Sequence, residues 1–125
     1  MHLIDTNIFL EVLLDQEKAE SCQRFLNKNY QSIHLSDFTL HSIGVILLRQ
    51  KKADIFLRFV ADILPNSKIL SLPHSQYQNI VGISNSMNLD FDDAYQYLVA
   101  QEFNLTIITL DSDFKRAKDV KVKFL

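Results

Sequence analysis

The chain has 125 residues, 47% of them hydrophobic and 22% charged, with a formal net charge of −2; this suits one globular domain and excludes nucleic-acid binding through bulk positive charge, though not through a local basic strip. Two glycines, two prolines and a single cysteine, Cys22, leave little for a long disordered segment, and rule out an intramolecular disulfide and a four-cysteine zinc site. No basic leader precedes Asp5, and Arg, Lys, Asp and Gln divide every apolar stretch, so the sequence reads as a soluble cytoplasmic protein with no membrane association.

In chain order, His2-Leu3-Ile4 predicts a short buried strand ending at Asp5. A helix follows from Thr6 to Leu14, with Ile8, Phe9, Val12 and Leu13 on one face, and a second from Asp15 to Asn27 turns Ala19, Cys22, Phe25 and Leu26 inward. Ser32 to Leu35 is the next strand. Ser36-Asp37-Phe38-Thr39 has the chemistry of a helix start, and the run from Phe38 to Leu48 is apolar on most sides, which predicts a deeply buried helix. Ala53 to Leu64 is an amphipathic helix ended by Pro65-Asn66-Ser67. Lys68 to Leu72 reads as a strand, and Pro73 suits the first turn of a helix reaching Met87. A helix from Phe91 to Phe103 opens with acids, Leu105 to Leu110 reads as a central parallel strand, a helical turn follows Asp111, and Lys121 to Phe124 is an edge strand. Short strands alternating with helices over residues 1–125 predict one α/β domain: a short, mostly parallel sheet covered on both faces. Right-handed crossovers then gather every strand-to-helix loop at one end of the sheet.

Acidic residues fall at those junctions: Asp5 after the first strand, Asp90, Asp92 and Asp93 at the start of the Phe91 helix, Asp111 and Asp113 after the strongest strand. Each alone is adequately explained as a helix cap favoured by the helix dipole. Jointly they would meet in the crevice beyond the C-terminal strand ends. Carboxylates gathered there repel one another, and a divalent cation with a taste for hard oxygen ligands, Mg²⁺ or Mn²⁺, relieves that repulsion. Such an ion can activate water and steady charge on a phosphoryl group. The sequence has no Gly-rich phosphate loop, no G-x-S-x-G elbow and no H-E-x-x-H pair as an alternative.

Three segments resemble the PIN domain family, especially VapC-type toxins. Leu3-Ile4-Asp5-Thr6-Asn7-Ile8-Phe9-Leu10 is similar to the family's N-terminal signature, Phe91-Asp92-Asp93-Ala94-Tyr95-Gln96-Tyr97-Leu98-Val99-Ala100 to its Asp-Ala helix, and Thr106-Ile107-Ile108-Thr109-Leu110-Asp111-Ser112-Asp113-Phe114 to its last buried strand and D-x-D-F turn. The resemblance implies a three-layer α/β/α fold, Mg²⁺ or Mn²⁺, and endonucleolytic RNA cleavage by metal-activated water. It further implies a cognate antitoxin of a type II toxin–antitoxin pair and a homodimer. Asp5, Asp93 and Asp111 match the family's metal-site and catalytic acids, and Asp113 matches a further acid that supports the site.

One position departs from the pattern. In Ser36-Asp37-Phe38-Thr39-Leu40-His41-Ser42-Ile43, Ser42 stands where the family usually has Glu. Serine can hold a metal-bound water but adds no negative charge, so Ser42 is expected to be a vacated or water-mediated ligand position. His41 is adjacent but about 100° around the helix; its plainer reading is a packing residue. His2, His34 and His74 lack ligand spacing. Lys115, Arg116 and Lys118 follow the acids and are candidates for RNA phosphate contacts, against the plainer reading of a solvated face. The cluster Arg49, Lys51, Lys52 reads as a helix-end complement to the dipole. Tyr95 and Tyr97 are candidates for stacking on bases, with Tyr97 spaced like a core residue. The competing function is a PIN-like RNA-binding or protein-interaction module whose catalysis is weak or lost through Ser42. A phosphoryl-accepting receiver domain fits poorly, since Asp5 has no acidic neighbour and Ser71-Leu72 ends the third strand.

Overall fold

A computed structural model describes residues 1–125. In chain order the elements are β1 (His2–Ile4), α1 (Thr6–Leu13), α2 (Ala19–Lys28), β2 (Ile33–Ser36), α3 (Asp37–Arg49), α4 (Ala53–Asp62), β3 (Lys68–Leu70), α5 (Ile80–Met87), α6 (Phe91–Phe103), β4 (Thr106–Thr109) and β5 (Val122–Phe124). The five strands form one sheet in the order β3-β2-β1-β4-β5, and every pair is parallel. Strand β1 is central. The chain builds outward from it to β2 and β3, then returns to its other side with β4 and β5. The reversal of direction lies between β1 and β4, where open α/β sheets leave a crevice beyond the strand ends.

Successive strand residues point to opposite faces, and the two cores follow that alternation. Leu3 and Ile107 belong to a core with Leu89, Tyr97, Val99 and Phe114 from the α5–α6 side. Ile4 and Ile108 belong to a core with Ile8, Phe9, Ile43, Leu47 and Phe59 from α1, α3 and α4. This is the three-layer α/β/α arrangement. No helix is long and apolar enough to cross a membrane.

The structure departs from the sequence reading in four places. Helix α3 is not buried on most sides: only Thr39, Ile43 and Leu47 are buried, whereas Val45 and Leu48 are 48% and 56% exposed. It lies over the β2 side of the sheet with its outer face open. The all-round buried helix is α6, where Asp93 through Ala100 are all buried. Helix α2 starts at Ala19 rather than Asp15, because Asp15 adopts a left-handed φ of 50° and the Gln16 N–H donates back to the Glu11 carbonyl at 2.9 Å, closing α1. Strand β3 ends at Leu70, and the segment after Pro73 is a 3₁₀ turn, His74–Asn79, before α5 begins. Helices α5 and α6 end on left-handed Asn88 and Asn104 (φ 52° and 53°), asparagine serving where glycine commonly does.

The start of α3 is fixed by Ser36, which is fully buried and whose Oγ accepts from the Thr39 N–H at 3.1 Å. Ser36→Ala leaves that donor unpaired, and should lower the unfolding free energy in urea by about 1–2 kcal/mol. An unchanged midpoint would show that the cap contributes nothing.

Candidate functional site

The pairing of β1 with β4 sets Leu3 beside Ile107 and Ile4 beside Ile108. One residue further, the Asp5 N–H donates to the Ile108 carbonyl at 2.9 Å, so Asp5 leaves the sheet next to Thr109, two residues before Asp111. Helix α6 directs its first turn at the same point. The result is a cavity of about 210 Å³ whose wall includes Asp5, Asn7, Asp92, Asp93, Gln96 and Asp111. A larger cleft of about 510 Å³ between α1, α2 and α4 is lined mainly by apolar side chains and holds none of these carboxylates.

Asp5 is only 7% exposed, and its carboxylate accepts from a set of fixed donors. The Thr6 N–H reaches Oδ1 at 2.8 Å, the Thr109 hydroxyl reaches Oδ2 at 2.7 Å, and the Asn7 amide reaches Oδ2 at 3.2 Å. Gln96 Nε2 stands 3.5 Å from Oδ1. Asn7 is itself held, its Oδ1 accepting from the Leu110 N–H at 3.2 Å. The Thr109 hydroxyl oxygen accepts from the Asp111 N–H at 3.0 Å. Asp5 and Asp111 are thus tied through one threonine. Burial pushes the Asp5 carboxyl above its ordinary range; the hydrogen bonds from Thr109, Thr6 and Gln96 oppose that rise, and the Asp111 charge adds to it.

Asp93 is 8% exposed. Its carboxyl is raised from 3.8 to about 7 by burial first, then by the charges of Asp92, Asp5, Asp111 and Asp90, with no hydrogen bond among the causes. Carboxylate oxygens of Asp93, Asp111 and Asp113 lie within 4.8 Å of one another, and those of Asp90, Asp92 and Asp93 form a second such group. Asp113 is placed by its own N–H, which donates to Asp111 Oδ1 at 2.9 Å. An all-oxygen set of carboxylates this close together fits a hard divalent cation better than a soft one.

The other candidates fall around this centre. Ser42 lines a neighbouring cleft with Asp37, His41, Tyr77 and Tyr95 rather than the wall of the carboxylate cavity. His41 is exposed. Lys115 and Lys118 are exposed beyond Asp113, whereas Arg116 donates to the Asn88 carbonyl at 2.8 Å and pairs with Asp113 at 3.4 Å. Tyr95 and Tyr97 do not offer stacking faces: they are 3% and 1% exposed. The Tyr95 hydroxyl donates to Asp37 at 2.6 Å and accepts from the Leu72 N–H at 3.0 Å, and the Tyr97 hydroxyl donates to the Lys118 carbonyl at 2.6 Å. His34 is buried against the Ser32 carbonyl, and His2 packs edge-on to Phe25. The sequence reading missed Asn7, Thr109 and Gln96. Asn7, two residues after a strand-ending aspartate, was a readable signal. Gln96, a polar residue three positions after Asp93 in an otherwise apolar helix stretch, was another.

The family model described as PIN domain matches residues 2–120. No curated protein sequence matches the chain. Among solved structures, the chain is similar to one described as FitAB bound to an IR36 DNA fragment, at 24% identity and a TM-score of 0.81, covering 99% of this chain and 94% of that one. It is similar to FitAcB from Neisseria gonorrhoeae at 28% identity and a TM-score of 0.76, covering 98% and 96%. It is also similar to Mycobacterium tuberculosis VapC20, described as a sarcin-ricin loop cleaving toxin, at 13% identity and a TM-score of 0.81, covering 98% and 99%. With the family match running almost from end to end and these folds superimposing along the whole length, the chain belongs to the PIN domain family.

Proposed function

We propose that this chain is a Mg²⁺- or Mn²⁺-dependent endoribonuclease and the toxin of a type II toxin–antitoxin pair. The observation that carries the reading is the convergence of Asp5, Asp93 and Asp111 on one cavity at the β1–β4 reversal point. Membership of a nuclease family supports it, as does the similarity to a toxin described as cleaving the sarcin-ricin loop. Similarity to FitAB, to VapBC2 from Rickettsia felis and to a toxin–antitoxin complex from Klebsiella pneumoniae supports an antitoxin partner. A second copy of the chain completes the set of partners, and the cytoplasm is the compartment in which RNA and antitoxin would be met.

In this reading Asp5, Asp93 and Asp111 hold the cation and Asp113 supports them. When bound, the ion supplies a Lewis acid that acidifies water and offsets charge on phosphoryl oxygens. The protein's own contribution is positional. Thr6, Asn7 and Thr109 fix both oxygens of Asp5, so little reorganisation is needed when charge arrives. Burial and its acidic neighbours raise the Asp93 carboxyl to about 7, and a cation held there would favour its ionised form. Lys115 and Lys118 stand free to meet RNA phosphates, while Arg116, already bonded to Asn88, fixes the turn that carries Asp113.

Ser42 favours one alternative, a PIN-like RNA-binding or protein-interaction module with weak or lost catalysis, since it brings no carboxylate. One experiment separates the two. Cleavage of a labelled single-stranded RNA should require added Mg²⁺ or Mn²⁺ and stop in excess EDTA. Undiminished cleavage in EDTA overturns metal dependence. RNA binding without cleavage in either metal selects the module.

A further inference from the structure

We propose that Gln96 is a working member of the carboxylate site, supplying the neutral oxygen donor that joins Asp5 on the bound divalent cation. The inference rests on the metal-dependent reading above and adds to it a residue outside the three motifs' acids.

Gln96 lies one helical turn after Asp93, on the same face of α6. Its neighbours Ala94, Tyr95, Tyr97, Leu98, Val99 and Ala100 are all buried and, apart from two tyrosine hydroxyls, apolar. Gln96 is itself only 2% exposed and lines the cavity with Asp5, Asp93 and Asp111. Its Nε2 donates to Thr39 Oγ1 at 2.8 Å and stands 3.5 Å from Asp5 Oδ1. Its Oε1 is the one buried side-chain polar atom without a hydrogen-bond partner. Such an orphan acceptor is costly, and a leucine here would avoid the cost. Polar groups that break this rule concentrate where function compensates.

Asp5 is an acceptor, so the amide turns its N–H toward the carboxylate and its carbonyl away. A cation on Asp5 reverses the local demand. The terminal amide of glutamine has a broad, two-fold torsional profile, so a half-turn exchanges Nε2 and Oε1. The carbonyl oxygen then faces the Asp5 side, where Thr39 Oγ1 can donate to it, since a hydroxyl both donates and accepts. Amide carbonyls are accepted ligands of hard divalent cations. A neutral oxygen also adds coordination without adding to the repulsion among Asp5, Asp93 and Asp111.

The test is calorimetric titration with MnCl₂ and MgCl₂ of the wild type, Gln96→Leu, Gln96→Glu and Asp93→Asn, with melts in EDTA alongside. Gln96→Leu should weaken cation binding by about 10-fold or more, the loss typical when a supporting group leaves a metal site. Gln96→Glu should bind more tightly than wild type and melt lower in EDTA, because a further charge joins the cluster. A purely structural Gln96 predicts the reverse pattern for Gln96→Leu: a shifted melt with wild-type affinity, which overturns the proposal. Should Gln96→Leu fail to fold, Gln96→Met, of similar volume, carries the same reading. Asp93→Asn separates this proposal from the reading of the site itself. If Asp93→Asn loses binding while Gln96→Leu keeps it, Gln96 alone is wrongly assigned; if Asp93→Asn also binds like wild type, the cavity is not the cation site and both fall.

Discussion

Asp5→Asn should reduce RNA cleavage by on the order of a hundred-fold or more, the scale seen when one group that stabilises charge at a reacting centre is removed. The substitution keeps size and shape, so the loss reports charge and hydrogen-bond polarity. As a carboxylate, Asp5 accepts on both oxygens, from the Thr6 N–H on Oδ1 and from Thr109 and Asn7 on Oδ2. An asparagine has one oxygen. Placed toward Thr6, it turns its NH₂ group at the Asn7 amide and forces the Thr109 hydroxyl to rotate from donor to acceptor. That hydroxyl oxygen already accepts from the Asp111 N–H, so the disturbance passes to the second acid. Cleavage of a labelled RNA in Mn²⁺, with circular dichroism melts as the fold control, measures the effect. A folded Asp5→Asn protein cleaving at the wild-type rate removes Asp5 from the site.

Much of this arrangement was legible in the sequence, and the limits have physical causes. The strands β1 and β4 were readable because residues buried on both faces leave a short apolar run between polar punctuation: Asp5 after Ile4, Asp111 after Leu110. Once they are parallel neighbours, Asp5 and Asp111 must lie together, so the site follows from topology more than from any side-chain detail. Helix α3 was misjudged because apolar composition does not say which faces find a partner. Val45 and Leu48 are as hydrophobic as Ile43 and Leu47, yet only the latter pair meets the sheet. The start of α2 was misjudged because a left-handed aspartate leaves no compositional mark. Ser42 was read as a ligand position from its place along the chain, but a helical position specifies a direction only once the helix is docked, and here Ser42 lines the adjacent cleft. Asn7 and Gln96 carry a signal as polar residues beside the acids, but their partners 102 and 91 residues away, and the role of Thr109, bonded to a residue 104 positions away, have no local signature.

The cost of assembling these charges should be visible in stability. In EDTA, the wild type should lose stability as pH rises from about 4 to 7, and Asp93→Asn should lose much less. The unfolded carboxyl titrates near 3.8 and the folded one near 7. Between those values the unfolded chain has released the proton and the native chain still holds it, so the unfolded state binds fewer protons and stability falls with rising pH. The contribution of protonated Asp93 is complete below about pH 4 and gone above about pH 7. Asp5 is shifted in the same direction by its burial. At pH 8 without metal, Asp93→Asn should therefore melt several degrees above the wild type, each 1 kcal/mol being worth roughly 4 °C in a domain of this length. At pH 4 the two should converge. Added Mg²⁺ or Mn²⁺ should invert the order at pH 8: the ion binds only the native site, raising the wild-type melt by mass action, and finds one charge fewer in Asp93→Asn. The same carboxylate that weakens the empty fold is then the one that makes it bind, a common trade between stability and function. Equal melts for the two proteins at pH 8 in EDTA, or a wild-type melt that rises with pH relative to the variant, would show that Asp93 is ionised at no cost and that the cluster is looser than its geometry indicates.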